Sequence, residues 1–180
     1  MKLIITGSEG NIGRRLRRAF SGCIGIDREP GAELRADLSA VDYSDPAIVA
    51  ALWDADALIH LATSPEPDAP EAVHWRAITD ASRLFAACAA LGTRRIVIAS
   101  SDWASPKHGA AINTYGHSKL VLESLAGMYA MHGRSARVVR VGWVPHDPAE
   151  LAAAPDWLKR NHWDDVRLIT EFRQALADLA

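Results

Sequence analysis

Short apolar runs alternate along this chain with longer, Ala-rich stretches of mixed polarity. Leu3–Thr6, Cys23–Asp27, Ala57–Ala62, Arg95–Ser100 and Ala136–Val141 are brief and Ile/Val-rich, and they lack the in–out alternation of a half-exposed strand. That pattern predicts parallel strands covered on both faces. Between them, Asn11–Phe20, Pro46–Trp53, Ala69–Leu91 and Asn113–His132 read as helices, and Glu33–Ala36 is a candidate for one more short strand. Strand–helix–strand alternation implies right-handed crossovers and an α/β fold built on a doubly wound parallel sheet. After Val141 the character changes. Residues 142–156 contain Pro145, Pro148 and Pro155, which predicts a loop with broken helix, followed by a helix over Asp164–Leu179 capped by Asp164 or Asp165. No strand is expected beyond Val141.

Composition narrows the partners. With 20 Lys+Arg against 22 Asp+Glu the formal charge is −2, which argues against nucleic acid or an anionic membrane as the main partner. Cys23 and Cys88 are too few for a disulfide framework and fit a reducing compartment. No apolar run approaches the ~20 residues that a bilayer requires. The first residues, Met1–Ile5, lead straight into a glycine motif without a signal-peptide layout, so a cytoplasmic protein is expected. At 180 residues a single domain covering 1–180 is expected. Seven histidines form no H-x-x-x-H or H-E-x-x-H pair and the two cysteines are far apart, so no metal site is expected.

Candidate chemistry begins between the first strand and the first helix, at Thr6-Gly7-Ser8-Glu9-Gly10-Asn11-Ile12-Gly13. Glycines at 7, 10 and 13 permit a tight turn and let backbone N–H groups approach a pyrophosphate at a helix N-terminus. Asp27 closes the second strand 20 residues after Gly7, where an acid binds an adenosine ribose diol. A carboxylate there repels a 2′-phosphate, so NAD is favoured over NADP, with the adjacent Arg28 softening the preference. Arg14, Arg15, Arg17 and Arg18 read as a solvated basic face, with Arg14 or Arg15 as candidates to reach a phosphate.

Ser100 and Ser101 end a later strand, at the sheet edge where open α/β folds bind ligands. Tyr115 and Lys119 follow, four residues apart and so on one helix face. An ammonium near a phenol favours the phenolate and is expected to lower the Tyr115 pKa toward that of a general base. The serine would orient a substrate oxygen while the tyrosine moves its proton.

Together these stretches resemble the extended short-chain dehydrogenase/reductases, the NAD-dependent epimerase/dehydratase family. The likeness rests on TGSEGNIG, ADL at Ala36–Leu38, HLA at His60–Ala62, RRIVIASS, YGHSK and RVGWVP. Within the family, ASSDW, TYGHSK, RVGWVPHDP and DWLKRNHWDD are most similar to uronate dehydrogenases. The resemblance implies a Rossmann-like domain with 1–145 as cofactor core and 146–180 as a shortened substrate-side tail. It implies Ser101, Tyr115 and Lys119 as the catalytic set, with Ser100 as fallback. For NAD it implies Gly7, Gly10, Asn11, Ile12, Gly13, Asp27, Arg28, Asp37, Leu38, Leu61, Ala62 and Thr63, together with Tyr115 and Lys119. Asp102, Trp103 and Trp143 border the expected substrate cleft, and the pair of Ala-rich helices implies a homodimer.

The chain also departs from the family pattern. Ala77 stands where the family carries an asparagine, and Glu150–Pro155 lacks the arginine by which uronate dehydrogenases hold a carboxylate; Lys159 and Arg160 are the nearby substitutes. Relatives continue into further strands and helices, whereas this sequence stops at Ala180. The expected function is therefore NAD-dependent hydride transfer at a hydroxyl or carbonyl of a sugar or sugar acid. The alternatives are a non-catalytic NAD(P)-binding regulatory or partner-dependent protein, and epimerase/dehydratase-type chemistry on a sugar nucleotide.

Overall fold

The computed structural model describes residues 1–106 and 111–178. The apolar runs become strands β1 (Leu3–Thr6), β2 (Ile24–Asp27), β3 (Leu34–Arg35), β4 (Ala57–His60), β5 (Arg95–Ser101) and β6 (Ser135–Val141). They form one sheet in the order β3-β2-β1-β4-β5-β6, and every described pairing is parallel. Helices α1 (Asn11–Ala19), α2 (Pro46–Leu52), α3 (Glu71–Ala90) and α4 (Thr114–Tyr129) are the crossovers.

Each strand alternates its side chains between two cores. Ile4, Ile26, Leu58, Ile96 and Ile98 face one way, toward Ile48 and Leu52 of α2, Leu84 and Phe85 of α3, and Leu122 and Ala126 of α4. Leu3, Ile5, Ile59, Val97, Val139 and Val141 face the other way, against Leu16 of α1 and a helix from the tail. Two-sided burial is the reason these strands read as continuous apolar runs.

The expected elements shift slightly at their ends. β4 stops at His60, because Thr63 N–H donates to Leu61 O at 2.7 Å and turns the chain away. β5 runs one residue further, to Ser101, in register with Val141. α3 starts at Glu71, after Pro70, and α4 ends at Tyr129. The tail holds α5 (Pro148–Ala153), α6 (Asp156–Lys159) and α7 (Asp165–Ala177); Leu179 lies outside the described residues. Asp164 is the α7 cap, its carboxylate accepting from Arg167 N–H at 2.8 Å. Trp163, Leu168, Phe172 and Leu176 are buried against the sheet, so the tail is a covering layer of this domain.

The strand order reverses between β1 and β4, and open sheets of this kind bind ligands at the carboxyl ends flanking such a switch point. The segments leaving β1 and β4 meet there: Leu61 N–H donates to Thr6 O at 3.0 Å.

Candidate functional site

The glycine segment forms a tight turn between β1 and α1. Gly7 lies at φ +70°, and a Cβ on it would sit 2.8 Å from Ala62 N. Gly13 is closer still, with its hypothetical Cβ 2.1 Å from Gly7 O. Gly10 is less confined, its hypothetical Cβ meeting Gly7 O at 3.3 Å. α1 begins after Gly10 with no side-chain cap and no acid in its first turn. Its first N–H groups and positive dipole end therefore remain available to an anion at the sheet's carboxyl edge. Asp27 stands beside the turn, its carboxylate accepting from Glu9 N–H at 2.9 Å and Glu29 N–H at 3.0 Å.

The neighbouring residues divide between this turn and the scaffold. Asn11 donates through Nδ2 to Val144 O at 2.8 Å, pinning α1 to the segment after β6, while Ile12 packs into the α1-side core. Arg28 is exposed and pairs loosely with Glu29 at 3.4 Å. Asp37 accepts from Ser39 N–H and Oγ–H, bonds that hold its carboxyl below the ordinary value, and Leu38 is buried beneath it. Within the basic cluster of α1, the Arg15 guanidinium bonds Asp165, Pro145 O and His146 O and ties α1 to the tail. Arg17 likewise pairs with Glu9 and Glu33, while Arg14 and Arg18 are exposed.

Ser101, Tyr115 and Lys119 come together at the end of β5. Asn113 caps α4 by accepting Gly116 N–H at 2.8 Å, and Gly116 lets the helix close onto the turn after β5: a Cβ there would lie 2.2 Å from Trp103 O. This close approach buries Tyr115 beside Ser101, whose hydroxyl favours the phenolate. Lys119 Nζ lies over the Tyr115 ring, 5.1 Å from its centroid. The ammonium donates to Thr63 Oγ1 at 2.6 Å.

The electrostatics differ from the sequence expectation. Burial pushes the Tyr115 phenol above 10.0; the Ser101 hydrogen bond opposes this, and the Asp102 and Glu66 carboxylates reinforce it. Burial also brings the Lys119 amine down to about 8. Desolvation outweighs the expected help from the ammonium because both groups are almost sealed from water.

Ser100, the fallback catalytic serine, belongs to a different network. Its hydroxyl donates to Glu123 Oε1 at 2.5 Å, and Glu123 is gripped by Arg140 through bonds of 2.8 and 2.7 Å. Successive strand residues face opposite sides, so only one serine of the pair can face Tyr115. Asp102 and Trp103 form the short turn after Ser101, whose Oγ–H donates to Asp102 Oδ1 at 3.3 Å. Trp143 follows β6, bridged to His162 and stacked edge-on with its ring at 6.2 Å.

Two residues near the site escape sequence reasoning. His74 of α3 is buried, its ring edge-on to Tyr115 at 5.7 Å, with Nε2 lacking a partner among the described residues. Its only sequence signal is a polar residue on the buried stripe that continues through Ala81, Leu84, Phe85 and Cys88. Glu123 gives less, being an ordinary acid in an ordinary helix. His60, by contrast, packs at its strand end as expected: Nδ1 is 2.8 Å from Thr6 Oγ1, the ring stacks on Phe85, and burial followed by the Lys119 charge pushes its pKa down to about 3. His117 is exposed.

A six-stranded parallel sheet in this order, with a glycine turn at its switch point and a Ser–Tyr–Lys cluster at its edge, defines a class: the Rossmann-like proteins of the short-chain dehydrogenase/reductase type. The model of the NAD dependent epimerase/dehydratase family matches residues 3–144, and the chain belongs to that family. Among solved structures, MoeE5 in complex with UDP-glucuronic acid and NAD is similar at 25% identity and a TM-score of 0.66, covering 81% of this chain and 56% of its own. A mutated uronate dehydrogenase is similar at 26% identity and a TM-score of 0.63, covering 82% and 60%. A UDP-galactose 4-epimerase is similar at 25% identity and 0.63, covering 80% and 57%. The chain thus spans under two thirds of each of these proteins. No curated protein matches its sequence. Among the described residues no helix is long and apolar enough to cross a membrane, and no cluster of metal-ligating side chains occurs.

Proposed function

We propose that this protein is an NAD-dependent oxidoreductase that transfers hydride at a hydroxyl or carbonyl of a sugar or sugar acid. The observation that carries this reading is Ser101 set beside the Tyr115 phenol with Lys119 Nζ over the phenol ring, next to a glycine turn. The residues present fit the cofactor: Gly10 leaves room before the uncapped end of α1, and the Asp27 carboxylate stands next to that turn. Gly7, Gly10, Asn11, Ile12 and Gly13 would hold the pyrophosphate, Asp27 and Arg28 the adenosine ribose, Asp37 and Leu38 the adenine, and Leu61, Ala62 and Thr63 the floor. NAD, when bound, supplies the hydride acceptor.

Tyr115 takes the proton of the substrate hydroxyl, Ser101 orients that oxygen, and Lys119 supports the phenolate and the nicotinamide ribose. Trp103 and Trp143 flank the sugar, with Asp102 beside Ser101. A sugar carrying a carboxylate is favoured by the likeness to proteins solved with UDP-glucuronic acid or described as a uronate dehydrogenase. A second reading, a non-catalytic NAD binder, draws on Ala77.

Calorimetric titration with NADH and NADPH tests the assignment. Tight NADH with weak NADPH supports the glycine turn and Asp27 and leads to a turnover screen on sugar acids; binding of neither removes the enzyme reading. We further assign a cytoplasmic homodimer formed through α3 and α4, where Trp75, Val121 and Met128 are exposed apolar side chains. A monomer in sedimentation at tens of micromolar would overturn that assignment.

A further inference from the structure

We infer that Thr63 is the positioning residue for Lys119: its hydroxyl, set by the turn after β4, holds the buried ammonium in place and in its charged form. The inference deepens the reading of Lys119 as part of the catalytic set and rests on it for its consequence in turnover. The geometry itself does not depend on any reaction.

Lys119 is 4% exposed, yet among the described residues no carboxylate forms an ion pair with it. A buried ammonium without acceptors is strongly disfavoured and escapes by losing its proton. The acceptor it has is Thr63 Oγ1, at 2.6 Å, a length typical of a charge-assisted bond. The other groups around it do not supply a compensating charge. His60 of β4 is neutral, and Tyr115 of the same helix presents its ring face with the phenol protonated. The Asp102 and Glu66 carboxylates bear on Tyr115, from the turn after β5 and the loop after β4.

Thr63 suits this task for a backbone reason. Its N–H donates to Leu61 O at 2.7 Å in a tight turn, so the main chain at the switch point decides where the hydroxyl sits. A threonine hydroxyl accepts from the ammonium and keeps its own O–H to donate. Thr63 is itself half-buried. Valine has the same shape and no acceptor.

The chain has four lysines, at 2, 107, 119 and 159, so lysine side-chain NMR can follow each amine in the full-length protein without any cofactor. The Lys119 signal is assigned by its loss in Lys119→Arg. In the unsubstituted protein Lys119 is expected to titrate below the ordinary lysine value, at about 8. Thr63→Ser should keep that value, and Thr63→Val should lower it by about one pH unit or more, the effect of removing a hydrogen bond to a charged group. Thr63→Ala serves the same purpose if the valine variant folds poorly, and thermal melting checks that the variants are folded.

An unchanged Lys119 titration in folded Thr63→Val or Thr63→Ala would overturn the inference and leave Thr63 as packing only. Because the amine is read in the free protein, absence of turnover with every sugar acid would remove the oxidoreductase reading without touching this result. Where turnover is found, Thr63→Val should lower the pH at which the alkaline limb of the kcat profile begins, and Thr63→Ser should restore it.

Discussion

Tyr115→Phe is expected to leave the chain folded and its NADH affinity within a few-fold of the original, while hydride transfer falls by about 10²- to 10⁴-fold. Phenylalanine retains the ring that packs against His74 at 5.7 Å and lies under Lys119 Nζ at 5.1 Å. What it loses is the hydroxyl that bonds Ser101 and would take the substrate proton. The pH dependence distinguishes loss of the base from a structural effect. Burial raises the Tyr115 phenol above 10.0, so the base form is scarce at neutral pH and grows as pH rises. Oxidation by the unsubstituted protein should therefore climb with pH, until the Lys119 amine gives up its proton near about 8. The residual rate of the phenylalanine variant should not follow that climb. NADH absorbance under saturating substrate measures both profiles. Turnover undiminished in Tyr115→Phe would remove Tyr115 as the base, and an unsubstituted protein that binds NADH but turns nothing over would favour the non-catalytic reading.

Gly13→Ala should be strongly damaging. The new Cβ would lie 2.1 Å from Gly7 O and 2.7 Å from both Ser8 C and Ser8 O. All three are backbone atoms of the turn, so no side chain can swing aside. α1 must move off β1, and with it Leu16, which is fully buried against Ile5 and Leu3 in the core on that side. Overpacking of this sort costs about 1–3 kcal/mol, and more where the backbone itself is struck. NADH affinity should fall by at least about tenfold, since the turn and the helix end that it shapes are displaced together.

Gly10→Ala is the control for that change. Gly10 has φ −70°, which alanine adopts freely, and its Cβ would meet only Gly7 O at 3.3 Å. Stability should fall less than in Gly13→Ala, because Gly7 O needs to give by only a few tenths of an ångström, while NADH binding weakens because the methyl occupies the space before the helix end. Urea unfolding and calorimetric titration of both variants separate the two effects. Equal stability of Gly13→Ala and the original chain would mean that the turn relaxes easily and does not set the distance between α1 and β1.

Much of the scaffold was legible in the residues. Runs such as LIIT and ALIH are apolar throughout because each strand is buried on both faces, and this pattern survives any detail of packing. The spacing of Tyr115 and Lys119 guaranteed a shared helix face, and the glycines at 7, 10 and 13 marked a turn that side chains would obstruct. The ends of elements were less legible. β4 stops at His60 because of a hydrogen bond in the following turn, which no run of apolar residues announces.

Local pattern by itself determined the strand–helix order, the glycine turn and the presence of an acid, a serine pair and a Tyr–Lys pair in sequence along one chain. Only the tertiary structure decided which way those side chains turn and what charge they carry. It gave Ser100 to Glu123 and Ser101 to Tyr115, joined Arg15 to the tail, and set Lys119 on Thr63. It also reversed the expected direction of the Tyr115 pKa. The physical reason is common to all of these: hydrogen-bond partners and desolvation depend on groups brought together from distant parts of the chain, such as residues 63 and 119, whereas periodicity records only each residue's neighbours along it.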